Sequence, residues 1–179
     1  MPGMPCGRSP TRTMIPNEEI TMIQIKKILV PVDFSEFSQK AVRYGVEIAR
    51  DRGASLTLIH VINQRIIDAV HELSVKGYKG DFVEAMRKMA QDREQELHQM
   101  LPLDWREGIS EIHFEIRKGR PAEEILNYAK ENTVDLIVVG THGRSALMST
   151  LIGSVANTVV LRAPCPVLVV RAVEHDFVT

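Results

Sequence analysis

The chain has little cysteine, no long apolar run and no excess of either charge, and each shortage removes a class of function. Its two cysteines, Cys6 in a polar tail and Cys165 between two prolines, form neither a C-x-x-C nor a metal-spaced pattern. A disulfide framework, a structural zinc site and a thiol redox motif are therefore excluded. With 22 basic and 23 acidic residues the net charge is -1, so nothing in the balance favours nucleic acid or an anionic membrane. No run approaches the roughly 20 apolar residues of a transmembrane helix. Low cysteine usage without a secretory h-region argues for a reducing, cytoplasmic setting.

Familiar catalytic signatures are missing too. There is no G-x-x-x-x-G-K-[ST] P-loop, no G-x-G-x-x-G after the first predicted strand, no H-E-x-x-H and no G-x-S-x-G elbow. These absences weaken the P-loop, nicotinamide, flavin, zinc and hydrolase readings in turn.

The 179 residues suit one domain with a sizeable core. Residues Met1 to Gln24 carry Pro2, Pro5, Pro10 and Pro16 with little periodicity, so they read as an irregular leader, and Met22 is an alternative start. Lys27 to Val32 is predicted as a strand covered on both faces. Asp33 to Glu36 matches a capping box, and Phe37, Ala41, Tyr44, Gly45 and Ile48 then recur at helical spacing until Arg52-Gly53. Ser55 to Ile62 is the second strand. Asn63 to Asp81 reads as a long connection, loosely helical at Ile66, Ile67, Val70 and Leu73 and broken by Gly77 and Gly80, and so a candidate cover for a ligand.

Phe82 to Leu101 is a long amphipathic helix whose Met86, Met89 and Met100 are expected against the sheet, stopped by Pro102. Glu111 to Arg117 alternates like a strand with one face less covered. Gly119 and Pro121 mark a tight turn into a helix buried through Ile125, Leu126 and Ala129. Val134 to Val139, Ser154 to Arg162 and Pro166 to Val173 complete the pattern as strand, helix and strand. Such alternation predicts an α/β fold of three layers around a five-stranded parallel sheet, with one domain over 25–174 and a tail over 175–179. Ligands of such sheets bind beyond the carboxyl ends of the strands, where the winding reverses.

Two signals fall at those ends. Asp33 follows strand one, as a helix cap or as a ligand of ribose or metal. Gly140 follows strand four and opens the stretch G-T-H-G-R-S-A-L-M-S-T-L-I-G-S-V, spaced G-x2-G-x9-G-S. Its end meets a helix N-terminus, where unpaired amides and the helix dipole suit a phosphate. Glycines at 140, 143 and 153 would allow positive φ and close approach to a ligand, and Ser154 adds a hydroxyl. Thr141, His142 and Arg144 lie in the same loop, with Arg144 placed for a terminal phosphate or for solvent. The backbone at Pro31 and Val61 is a candidate reader of an adenine edge. His60 reads as a hydrogen-bonded sheet histidine before an acid or base.

Taken together, K-K-I-L-V-P-V-D-F-S at Lys26 to Ser35, L-I-H-V-I at Leu58 to Ile62, K-G-R-P at Lys118 to Pro121, D-L-I-V-V-G-T-H-G-R at Asp135 to Arg144, G-S-V at Gly153 to Val155 and C-P-V-L-V-V at Cys165 to Val170 resemble the ATP-binding branch of the universal stress protein family. The resemblance implies sheet order 3-2-1-4-5, with Pro31, Val32, Asp33 and Val61 around adenine and ribose. It implies phosphates at Gly140, Gly143, Gly153, Ser154 and Val155, Gly119 at a turn near the nucleotide, and Mg²⁺ or Mn²⁺ held mainly by the phosphates, with Asp33 a candidate ligand. It also implies a homodimer paired through the last strand, Pro166 to Val173. A nucleotide-dependent stress-response binding module is the expectation, and a slow or partner-activated ATP hydrolase the alternative.

Overall fold

The computed structural model describes residues 23–76, 82–141 and 152–171. Five parallel strands, β1 (Lys27–Pro31), β2 (Ser55–Asn63), β3 (Ile112–Gly119), β4 (Leu136–Gly140) and β5 (Val167–Val170), form one sheet in the order β3-β2-β1-β4-β5. The helices are α1 (Glu36–Arg52), α2 (Gln64–Val75), α3 (Phe82–Gln99), α4 (Pro121–Glu131) and α5 (Ser154–Arg162), with a short 3₁₀ turn at Leu103–Trp105. The order is the one expected, and it makes β1 and β4 neighbours, pairing Ile28 with Leu136. The winding reverses between them.

Alternation along the strands divides the core into two layers. Ile28, Val30, Leu56 and Leu58 face α1 and α3, packing with Val42, Val46, Leu97 and Leu101. Leu29, Ile59, Ile137 and Val139 face the other way, onto Ile125 and Ala129 of α4 and Ala156 and Val159 of α5. Met86 is buried and Met100 packs against the first layer, as their spacing suggested.

Two local expectations need correction. Asn63 to Asp81 is not simply a loop, because Gln64–Val75 forms α2. Its apolar residues are half exposed, Ile66 at 48% and Leu73 at 52%, so no buried stripe announces the helix in the sequence. The cap of α1 is Ser35, not Asp33: the Ser35 hydroxyl accepts from the Ser38 N–H at 3.3 Å. Asp33 instead closes an Asx turn, its Oδ1 accepting from the Ser35 N–H at 3.1 Å and the Ser35 hydroxyl at 2.5 Å. Between them Phe34 takes φ 66°, a strained setting for an aromatic residue. That turn carries the chain off the sheet at the end of β1 and shapes the site.

Candidate functional site

The carboxyl ends of β1, β2 and β4 and the start of α5 enclose one cavity of about 470 Å³. Pro31, Val32, Asp33, Val61, Gly140, Thr141, Gly153, Ser154 and Val155 all line it, so residues scattered through the chain share one space. Gly119 does not. It pairs with Asn63 and turns the chain, at φ 144°, into Pro121, which does line the cavity. His142, Gly143 and Arg144 lie outside the described residues.

At one end of the cavity a ladder stops. The Val32 N–H donates to the Ile59 carbonyl at 2.8 Å. In a parallel ladder alternate residues address the same neighbour, so Val61 turns its N–H and C=O toward the line β1 would have followed. The chain has already left at Asp33. Among the described residues neither Val61 group has a hydrogen-bond partner. A donor and an acceptor therefore stand side by side at the wall.

At the other end a helix begins. Thr141 anchors it, its N–H donating to the Val170 carbonyl at 2.8 Å and its carbonyl accepting from the Gly153 N–H at 2.7 Å. The first helical bond runs from the Asn157 N–H to the Gly153 carbonyl, 2.8 Å. The amides of Ser154, Val155 and Ala156 thus precede the ladder of α5, and among the described residues no acceptor meets them. All three residues line the cavity. Unpaired amides at the positive end of a helix dipole form a site for an anion.

The two described glycines of the motif, Gly140 and Gly153, do not take positive φ. Gly153 sits at φ -57° and ψ 152°, which any residue adopts, and Gly140 is not among the positive-φ residues either. A Cβ at Gly140 would come within 2.8 Å of the Phe37 backbone, so this glycine lets α1 close against β4. That close approach is packing, at a residue that also lines the cavity.

Ile66 of α2 lines the cavity from the connection expected to cover a ligand, whereas Met89 and Arg93 of α3 are among the lining residues that were not foreseen. Arg93 and Asp33 are the charged side chains of the described wall. The Arg93 guanidinium lies 5.5 Å from the centre of the Phe34 ring and donates to Glu96 at 2.5 Å. Its signal was in the sequence, since a charge one turn before buried Leu97 interrupts the apolar stripe of α3. Among the described residues no group of three His, Cys, Asp or Glu is placed to hold a metal, so Asp33 offers a single carboxylate. Burial, then the charge of Asp135, pushes the Cys165 thiol up, which makes it a poor nucleophile.

A parallel sheet of this order, with helices on both faces and a cavity at its reversal, is a doubly wound α/β fold. The universal stress protein family model matches residues 24–171, and the chain belongs to that family. Universal stress protein MJ0531 of Methanocaldococcus jannaschii is 34% identical over 151 residues, covering 84% of this chain and 85% of that protein. The structure of MJ0577, from the same organism, agrees at a TM-score of 0.71 with 28% identity, over 86% of this chain and 100% of that one. A universal stress protein solved in complex with cAMP shares the fold at a TM-score of 0.55 and 21% identity, over 84% of this chain and 99% of that one. Among the described residues no helix is long and apolar enough to cross a membrane.

Proposed function

We propose that this chain is an adenine-nucleotide-binding module, with ATP and a divalent cation as the ligand, working as a homodimer. One observation carries it: the unpaired Val61 peptide and the three unpaired amides of α5 open into the same 470 Å³ cavity. The Val61 N–H suits a ring nitrogen of adenine and its C=O suits the adjacent amino group, while Pro31, Val32, Ile59 and Val139 supply apolar walls. Asp33 would serve ribose or the cation. The amides and hydroxyl at Ser154, with Val155 and Ala156, would hold phosphate, joined by Gly140 to Arg144 as the family pattern suggests. Bound ATP would bring its own phosphate oxygens to the cation, which fits a wall whose described residues offer one carboxylate.

Binding is favoured over turnover. The described candidates for a base are Asp33 and His60, and each is engaged, Asp33 by Ser35 and the His60 ring by the Val32 carbonyl. Titrating ATP·Mg²⁺ into the protein by calorimetry, beside adenosine and inorganic triphosphate, tests the proposal. ATP should bind more tightly than either fragment, and a flat ATP titration would remove it. Because Ile66 lines the cavity while Val75 faces solvent, occupancy would be felt along α2. Amide exchange over Gln64–Val75 that ignores added ATP would sink that part.

The two sheet edges support the dimer. On β3, Glu115 and Arg117 are charged, and Arg117 pairs with Glu115 at 3.2 Å and Glu131 at 2.7 Å. Such charges blunt an edge. On β5, Val167, Leu168 and Val169 are only half buried, and Leu161 of α5 is 74% exposed. Pairing with a second copy would cover this apolar edge. Sedimentation should give a dimer for the wild type and a monomer for Leu168→Lys; a monomeric wild type would rule the pairing out.

A further inference from the structure

The ladder between β1 and β2 ends one rung early, and a side chain stands where the rung should be. Ile59 addresses β1 with its carbonyl on the Val32 N–H at 2.8 Å. Val61 is the next residue of the same parity, and the acceptor due to its N–H is the Val32 carbonyl. The His60 ring has that carbonyl instead: Nδ1 lies 2.7 Å from the Val32 oxygen. A carbonyl only accepts, so Nδ1 carries the proton and donates.

The ring is clamped in place. Its centroid is 4.6 Å from that of Phe34, whose φ of 66° persists only where the surroundings over-determine it. Arg93 stands over the Phe34 ring from α3, 5.5 Å away. His60 is thus held between the end of β1 and α3, beside the cavity it lines.

We propose that His60 is a positioning residue for the nucleobase. By drawing the Val32 carbonyl toward its ring and off the line of the ladder it withholds the last rung, and the donor and acceptor of Val61 stay open to the ligand. Without the imidazole the carbonyl returns to the ladder, the Val61 amide pairs with it, and the cavity loses the donor that a ring nitrogen requires. The proposal rests on the nucleotide-binding function given above and adds to it the side chain that prepares the base-reading edge.

His60→Leu and His60→Asn test it, because the Asn amide nitrogen stands near the place of Nδ1 and can still donate to Val32. In His60→Leu without ligand, exchange of the Val61 amide should slow at least about tenfold as the rung forms. Affinity for ATP should fall about tenfold, the scale of one hydrogen bond lost from a desolvated site. Affinity for inorganic triphosphate should not change. His60→Asn should keep the wild-type values for all three. If His60→Leu leaves Val61 exchange and the ratio of ATP to triphosphate affinity as in the wild type, the positioning role is wrong. An equal loss for ATP and triphosphate would also overturn it, as general damage to the cavity. Should the wild type fail to bind ATP, the nucleotide-binding function falls on its own, while the exchange comparison, which needs no ligand, still decides whether His60 stops the ladder.

Discussion

The base-side end of the cavity, at β1 and β2, and the phosphate-side end, at α5, both present unpaired backbone groups, but they come by them differently. At β1 the groups exist because side chains divert the chain: Asp33 turns it through Ser35, and His60 takes the Val32 carbonyl. At α5 they exist because any helix starts with unpaired amides, and Ser154, Val155 and Ala156 need no particular side chain for that. The first end is therefore sensitive to side-chain substitution. The second is sensitive to changes of the backbone.

The largest expected effect on stability separates packing from binding at the phosphate end. Gly140→Ala places a Cβ within 2.8 Å of the Phe37 backbone, which cannot swing aside. It should cost about 1–3 kcal/mol in stability by overpacking, seen as an earlier denaturant midpoint. Gly153→Ala, at φ -57°, should leave stability unchanged or raise it by about 0.4–1 kcal/mol. Equal losses in both would mean that the two glycines share one role after all.

The next effect acts on a single amide. Ser154→Pro removes the first N–H of α5 where proline is tolerated, and Gly153 already holds the ψ of 152° that a following proline prefers. One charge-assisted bond lost is about 1.5–3 kcal/mol, or roughly ten- to a hundredfold in ATP affinity, with Ser154→Ala as the control for the hydroxyl. Adenosine should bind as before. A matching loss for adenosine would join the two ends that are kept apart here.

Smallest is a change outside the cavity, on the guarded edge of the sheet. Hydrogen bonding to Arg117 holds the Glu131 carboxyl below its ordinary range. A depressed carboxylate adds stability that is present above the unfolded value and fades as pH falls through the folded one. The pair is at the surface, so the effect is slight. Unfolding measured from neutral pH downward should show Arg117→Met losing part of the acid-side slope, while ATP affinity stays constant.

Much of this was legible because apolar runs and punctuation are local. The span of α5 was read to the residue, and Pro121 was placed at the first turn of α4. Sheet order came with the family pattern. What escaped depended on partners far along the chain. Gly140 can be seen as a glycine but not as the neighbour of Phe37. The cap at Ser35 was missed because a carboxylate two residues earlier competes for it, and α2 because its apolar residues face solvent as much as core. His60 was rightly taken for a hydrogen-bonded sheet residue, yet which rung it replaces needs the register of β1 on β2.

Amide exchange at Val61 and at Ser154 to Ala156, followed in one sample with adenosine, with inorganic triphosphate and with ATP·Mg²⁺, tests the two-ended cavity most directly. Adenosine should slow exchange at Val61 alone, triphosphate at Ser154 to Ala156 alone, and ATP at both. Protection by ATP at only one end, or at neither, would contradict a single nucleotide spanning the cavity.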